Sequence, residues 1–283
     1  MKRLTALLAV FLLAPAVATA QSGYRLEKLA EGVHAALAVG ERASSNALIV
    51  EGRDYKVVAG AHLGREAIAD LTAAAATVSS KPLRYFILTH HHRGFGGFDF
   101  DFPPGVEVLT SAATWKALDE EVREITFPVL FFGQGLTLKL GNRSVVLTNI
   151  GRAHTAGDVA VYLPEAGVLF ASDLVYKGIV GYMGEGFMQD WIVALEFLDS
   201  IDFDVLVPGY GAVGKRADLI AFKDFFRAFL TEVIRHIEKG DSLEQTRQSF
   251  SLPAYEDLPG YQRFLGANLE RAYRQLEETL ARQ

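Results

Sequence analysis

The sequence contains no cysteine. This absence excludes disulfide bonds, anchoring through a lipidated cysteine and thiolate metal ligands, so any metal must be held by histidine, aspartate or glutamate. Clusters of lysine and arginine are also missing, which argues against a nucleic-acid-binding surface. An apolar run at residues 4–17 is too short for a stable membrane span.

The first twenty residues have the pattern of a secretory signal peptide. Lys2 and Arg3 precede the apolar run, and Ala18-Thr19-Ala20 has the small-x-small pattern of a cleavage site. We expect cleavage after Ala20 and a periplasmic protein without stable membrane insertion. Removal of Lys2 and Arg3 with the signal peptide leaves 26 basic residues against 34 acidic residues, so the mature protein has a net charge of −8.

Apolar runs alternate with turns along the chain in two series, each of which is followed by helical patterns. Predicted strands are 33–39, 47–50, 55–59, 83–88 and 106–109 in the first series, and 136–140, 144–150, 158–163, 168–171 and 205–207 in the second. Predicted helices are 66–78, 188–198, 219–238 and 265–280. This order predicts an α/β protein in which two sheets pack together beneath outer helices. We expect a boundary near residue 216, between a domain of residues 21–215 and a C-terminal helical extension of residues 216–283 that packs on it.

A histidine-rich stretch, Thr-His-His-His at 89–92, follows one of the predicted strands. His90 and His92 are two residues apart, so both rings can lie on one side of an extended backbone. Imidazoles are the usual ligands of zinc, and a hydrolytic zinc needs three ligands and a position for water. Taken alone, the stretch has an alternative interpretation as an exposed polar loop tip.

Other candidate ligands lie where predicted strands end, which is where a scaffold presents functional groups. His154 lies in the turn at 151–158, and Asp173 follows the strand predicted at 168–171. His62, in a strand-to-helix loop, is a weaker spare ligand. Each of these residues taken singly also suits a structural role in a turn.

Four motifs occur together: THHH at 89–92, GRAHTAGD at 151–158, LFASDLVY at 169–176 and VPGYG at 207–211. In their order and spacing the sequence resembles the metallo-β-lactamase-fold hydrolases over roughly residues 24–211. It looks nearer to the glyoxalase II-like branch and, in its tail, to secreted zinc metallohydrolases. The resemblance implies a four-layer αββα sandwich with a C-terminal helical tail. It also implies metal ligation by His90, His92 and His154, with Asp173 in a bridging position.

The sequence departs from the family pattern at three places. The family motif Thr-His-x-His-x-Asp-His-x-Gly-Gly lacks its aspartate and third histidine here, because Arg-Gly-Phe-Gly-Gly follows His92 at 93–97. The family's later Pro-Gly-His-Gly has Tyr210 in place of histidine, and Ala59 replaces an upstream aspartate. The missing residues would have built the second metal site. We therefore predict one zinc ion per chain, with iron or manganese as alternatives.

The remaining groups suggest roles in hydrolysis. Zinc lowers the pKa of a bound water to about 7. Asp173 is the best candidate base or orienting group, and Tyr210 could donate to a developing oxyanion or simply pack in its turn. Asp99 or Asp101 could be relocated ligands, although turn and surface roles also fit them, and Asp158 is interpreted as a turn or supporting residue.

Two hypotheses for function follow. The first is a metal-dependent hydrolase that acts on an ester, thioester, lactam or phosphoester bond of a small molecule. The alternative is a catalytically inactive binding protein that has kept the fold, and β-lactam hydrolysis is a third possibility. The loop at 176–189 and the residues Phe131-Phe132-Gly133 are expected to form opposite walls of the site.

Overall fold

A computed structural model of the protein describes residues 23–39, 45–92, 100–118 and 125–282. The predicted signal peptide, the glycine-rich run after His92 and Asp99 lie outside these residues. The described strands are β1 (Tyr24–Ala30), β2 (Val33–Ala38), β3 (Ala47–Glu51), β4 (Lys56–Gly60), β5 (Leu83–Leu88), β6 (Glu107–Ser111), β7 (Val129–Phe132), β8 (Gly135–Lys139), β9 (Ser144–Gly151), β10 (Asp158–Leu163), β11 (Val168–Tyr176) and β12 (Val205–Tyr210). The described α-helices are α1 (Arg65–Val78), α2 (Ala112–Leu118), α3 (Met188–Ser200), α4 (Arg216–Lys239), α5 (Leu243–Ser249) and α6 (Tyr261–Leu280).

The strands form two sheets. The first has the order β1-β2-β3-β4-β5-β6-β7 and the second has the order β12-β11-β10-β9-β8. One apolar core lies between the sheets, with Val57, Ile87 and Phe170 among its buried residues. A second core joins the first sheet to α1 and α2, and a third joins the second sheet to α3, α4 and α6. The predicted αββα layering and helical C-terminal region are confirmed.

Parallel pairing within each sheet decides where functional groups meet. β4 runs parallel to β5, and Gly60 pairs with Leu88 at the carboxyl ends of the two strands. β11 runs parallel to β12. The main-chain N–H of Val159, on β10, donates to the carbonyl of Thr89 (2.8 Å), which joins the sheets at this edge. The strand ends of both sheets therefore converge on one side of the molecule.

Several strands differ from the prediction. β1 was not predicted, and β12 continues three residues beyond the predicted end at 207. β7 was not predicted as a strand; it is a four-residue edge strand on which Leu130 and Phe131 are exposed although all four residues are apolar. β11 continues five residues beyond the predicted end at 171 and is buried throughout. Asp173 therefore lies within a strand rather than after one.

The C-terminal helices pack on the second sheet and on the loop that follows β11. Asn268 of α6 accepts a hydrogen bond from the main-chain N–H of Met183 (2.6 Å) and donates to the carbonyl of Gly181 (2.9 Å). Arg271 donates to the carbonyl of Gly186 (2.8 Å). Residues 181–186 are thus held to α6 through main-chain groups.

No helix among the described residues is long and apolar enough to cross a membrane.

Asn46 links the first sheet to the end of β12. Its side chain is buried, accepts from the main-chain N–H of Ala38 (2.9 Å) and donates to the carbonyls of Pro208 and Gly211 (both 2.9 Å). Asparagine suits this position because its amide carries both an acceptor and two donors.

Replacing Asn46 by alanine is expected to lower the free energy of unfolding by about 2–4 kcal/mol, because several buried main-chain groups lose their partners at once. Urea unfolding measures the change. Asn142→Ala, at an exposed turn, is the matched control and should leave stability nearly unchanged. Equal effects of the two substitutions would contradict this role of Asn46.

Candidate metal centre

Two histidines are placed by the parallel pairing of β4 and β5. His62 and His90 each come two residues after a paired strand end, at Gly60 and Leu88. Both rings are buried, and their centroids lie 5.4 Å apart in an edge-to-face arrangement. The backbone at His62 has φ of 56°, in the left-handed region that non-glycine residues seldom adopt.

The second sheet supplies His154 and Asp173, both buried. His154 lies in the turn between β9 and β10. Asp173 follows Ser172, whose φ of 49° accompanies an irregularity in the pairing of β11 with β12. Hydrogen bonding between the Ser172 and Thr89 hydroxyls (2.8 Å) connects this irregularity to the strand end before His90.

One carboxylate oxygen lies at the centre of these groups. Asp173 Oδ2 is 3.5 Å from His62 Nε2, 3.6 Å from His90 Nε2 and 3.8 Å from His154 Nε2. His92 Nδ1 lies 2.8 Å from His154 Nε2. The structure thus brings together His90, His92, His154 and Asp173, the four ligands expected from the sequence, and adds His62 to them.

The tautomer of His154 follows from its hydrogen bonds. The hydroxyl of Tyr176 donates its single hydrogen to the carbonyl of Tyr182 (3.0 Å), so it can only accept from His154 Nδ1 (3.3 Å). The proton of neutral His154 is therefore on Nδ1. Its Nε2 presents a lone pair to Asp173 and His92.

Glu185 orients His92 in a similar way. Its Oε2 atom lies 3.0 Å from His92 Nε2 and 3.4 Å from His91 Nε2. These histidine contacts hold the pKa of Glu185 well below its usual range, so the carboxylate is ionised and accepts a hydrogen bond from His92 Nε2–H. With this hydrogen on Nε2, the Nδ1 atom of His92 is the lone-pair nitrogen that faces the centre. This pairing of a ligand histidine with a carboxylate is common around metals.

These assignments place lone pairs against one another. Nδ1 of His92 and Nε2 of His154 are only 2.8 Å apart, although the N–H group of each ring points elsewhere. His90 Nε2 and Asp173 Oδ1 are buried without a hydrogen-bond partner among the described residues. Such a set of acceptors is stable only with a cation or a shared proton between them. Three imidazoles and a carboxylate suit zinc, iron or manganese.

Burial sets the electrostatics of the centre. It lowers the pKa of His90 and of His154 well below the usual value, with neighbouring histidines adding to the effect. It also lowers the pKa of His62 to about 3. All three imidazoles are therefore neutral at neutral pH, as metal ligation requires. Burial, with Asp158 nearby, raises the pKa of Asp173, and a bound cation would lower it again.

The other candidate carboxylates have structural roles. Asp158 accepts from the main-chain N–H of Thr155 (2.8 Å) and from its hydroxyl (3.0 Å), which closes the turn that carries His154. Burial raises the pKa of Asp158 to about 7. Asp101 pairs with Arg65 (2.6 Å) on the surface, where both side chains are more than half exposed.

A cavity of about 490 Å³ opens beside the cluster. His62, His92, His154 and Asp173 line its base, together with Tyr210 at the end of β12. Its walls include Tyr182 and Glu185, from the loop expected there, and Arg263 and Phe264 of α6. The expectation for Phe131-Phe132-Gly133 was wrong. These residues do not line the cavity, because β7 lies at the far edge of its sheet.

The sequence does not indicate the contacts of Glu185 and Tyr176 with the ligand histidines, or that α6 lines the cavity. Glu185 is one acidic residue in a glycine-rich loop, and nothing in the sequence indicates that it reaches His92. Tyr176 lies within a matched motif, yet its contact with His154 depends on the unpredicted extension of β11. Arg263 and Phe264 begin a helix whose pattern indicates only packing.

Gly209 permits the close approach of β12 to Asp173. A Cβ atom at this position would lie 2.2 Å from Asp173 Oδ1 and 2.7 Å from its main-chain nitrogen.

Gly209→Ala is expected to lower the free energy of unfolding by about 1–3 kcal/mol through overpacking, as measured by urea denaturation. Gly133→Ala is the control, since its Cβ would meet no atom within 4 Å. A loss at Gly133 as large as at Gly209 would contradict the explanation.

Comparisons with known proteins agree with this architecture. A metallo-beta-lactamase from Pontibacter korlensis has a TM-score of 0.63 and 24% identity, covering 72% of this chain and 99% of its own. The metallo-beta-lactamase FIM-1 from Pseudomonas aeruginosa, solved in its mono-zinc form, has a TM-score of 0.59 and 17% identity, covering 72% of this chain and 95% of its own. At these identities the likeness establishes the fold alone.

Sequence relatives are similarly distant. The 2,4-dinitroanisole O-demethylase subunit alpha of Nocardioides sp. (strain JS1661) is 27% identical over 134 residues, which are 46% of this chain and 41% of the relative. The metallo-beta-lactamase type 2 of Bacillus cereus is 24% identical over 195 residues, 66% of this chain and 75% of the relative. The family model described as the metallo-beta-lactamase superfamily matches residues 40–210, well over half of the sequence. The chain therefore belongs to the metallo-beta-lactamase superfamily.

Proposed function

We propose that this protein is a metal-dependent hydrolase that holds one tightly bound ion through His90, His92 and His154, with Asp173 as a further ligand. The observation that carries the proposal is the convergence of lone-pair nitrogens around Asp173 Oδ2 at the base of a cavity. Membership of the superfamily supports metal-dependent hydrolysis in general. Zinc is the proposed ion, with iron and manganese as alternatives, and the glyoxalase II-like branch remains a proposal.

A divalent ion at this position, when bound, supplies a Lewis acid and an activated water molecule. Asp173 accepts a proton or orients the attacking water from within the cluster. Burial raises the pKa of Tyr210 far above neutral, so its hydroxyl keeps its hydrogen and can donate to negative charge that develops on a substrate oxygen.

The proposed substrate is a small molecule with an ester, thioester, lactam or phosphoester bond. A cavity of about 490 Å³ is within the range of small-molecule sites. Tyr182, Phe264 and Ile179 give it apolar walls, whereas Arg263 adds a positive charge at one side. The relative from Bacillus cereus, named as a metallo-beta-lactamase, favours inclusion of lactams in a substrate screen.

We further propose that the protein is secreted to the periplasm after cleavage at Ala20. The support is the basic, apolar and small-residue pattern of residues 1–20. No nucleic-acid partner is proposed, since the net charge of the chain is −6 and basic residues do not cluster.

His92→Ala is expected to lose the tightly bound ion, with metal affinity reduced more than about 10-fold, and to lose hydrolytic activity with it. Elemental mass spectrometry after exhaustive dialysis, followed by a chromogenic substrate screen with and without chelator, measures both. His34→Gln, a histidine on β2 outside the cluster, is the matched control and should keep metal and activity. Full metal content in His92→Ala would contradict the assignment of His92 as a metal ligand. Bound metal without turnover on any substrate would favour the inactive binding protein.

Tyr176→Phe tests the tautomer argument without removing a ligand. Loss of the hydroxyl leaves His154 Nδ1–H without its acceptor, so metal affinity should fall about 10–100-fold while the ring continues to pack. Competition with a chromogenic chelator measures the affinity. Tyr162→Phe, which removes a hydroxyl bound to the carbonyl of Asp202 (2.5 Å), should have no effect on it. Identical affinities of the two variants would contradict the role of Tyr176.

A further inference from the structure

His62 is a fourth imidazole at the centre. It stands on the turn between β4 and α1, and its left-handed backbone directs the ring inward, where the side chain is only 4% exposed. The centroid of its ring lies 5.4 Å from that of the His90 ring and 6.3 Å from that of the Tyr210 ring. Strained backbone of this kind persists where the surrounding structure demands it, and it concentrates at functional sites.

The distance between His62 and Asp173 fits shared metal coordination better than direct hydrogen bonding. Their Nε2 and Oδ2 atoms are 3.5 Å apart, beyond the usual range of a hydrogen bond. Two ligand atoms on one tetrahedral zinc ion are about 3.4 Å apart, given metal–ligand bonds of about 2.0–2.2 Å. His90 and His154 lie at 3.6 and 3.8 Å from the same oxygen. The distance between His62 Nε2 and Asp173 Oδ2 therefore allows both atoms to coordinate one ion.

The surroundings leave room for such an ion. His62, Asp173 and Tyr210 all line the cavity, so water or a substrate atom can complete the coordination. Oδ1 of Asp173 packs against Gly209, which leaves Oδ2 as the oxygen that faces the histidines. Tyr210 stands where a histidine was expected, and the His62 ring lies beside it. The imidazole of His62, which follows the end of β4, thus lies near the position at the end of β12 where the family has a histidine.

We propose that His62 and Asp173 Oδ2 form a second divalent-cation position, weaker than the three-histidine position and bridged to it by that oxygen. The inference rests on the proposed function, because it takes His90, His92 and His154 to hold the first ion. The sequence motifs, which lack the expected second-site ligands, indicate one ion. Because His62 lies beside Asp173, we expect two bound ions instead.

The test is a titration of the metal-free protein with zinc by calorimetry, with bound metal counted by elemental mass spectrometry. The wild-type protein should bind two equivalents, the second at least about 10-fold more weakly. His62→Asn should lose only the second equivalent. Asparagine is chosen because it tolerates positive φ, and circular dichroism checks the fold. His34→Asn, the matched control, should bind two.

The outcomes separate this inference from the proposed function. Two equivalents in His62→Asn, or one in the wild-type protein, would overturn the second position. Weaker binding of a single ion in His62→Asn would also overturn it, since His62 would then be a ligand of the first ion. No metal in any variant would refute the proposed function itself.

A second measurement needs no variant. Cadmium NMR on the wild-type protein with isotopically labelled histidine should give two metal signals, one coupled to three imidazoles and one coupled to a single imidazole. One signal at cadmium saturation would refute the proposal even if His62→Asn fails to fold.

Discussion

The site depends on one constraint, which is that several hydrogen-bond acceptors converge in the protein interior. Neutral imidazoles and a carboxylate lose their hydration there, and their lone pairs repel at distances as short as 2.8 Å. A cation bound between them would relieve this repulsion, and the surrounding protein keeps the acceptors in place. Tyr176 and Glu185 hold the ring N–H groups away from the centre, so each lone pair faces inward.

Much of the local backbone serves the same convergence. The positive φ angles of His62, after the end of β4, and of Ser172, within β11, cost roughly 1–2 kcal/mol each. The absence of a side chain at Gly209 lets β12 approach Asp173. Asn46 then fixes that approach from the opposite sheet. Packing between the layers offsets the cost of this strain.

The layering of the fold could be predicted from the sequence because its strands and helices have clear periodicity. The histidine cluster could also be predicted, since three motifs each place a ligand at or near a strand end. His62 was underestimated because its neighbours His90 and Asp173 are distant in sequence, and only the parallel pairing of β4 with β5 brings it to the centre. Glu185 and Phe264 could not be predicted, because a loop held by a distant helix has no local pattern that identifies its contacts.

The attachment of α6 to the loop at 181–186 separates two properties of the protein. The candidate metal ligands lie within residues 40–210, the part that matches the superfamily model. Part of the cavity wall comes from the start of α6, which lies outside that part. A change of sequence at residues 261–264 can therefore alter the shape of the cavity while the cluster of histidines and Asp173 stays the same. Family membership accounts for the cluster, and the shape of the cavity depends in part on a helix outside the matched residues.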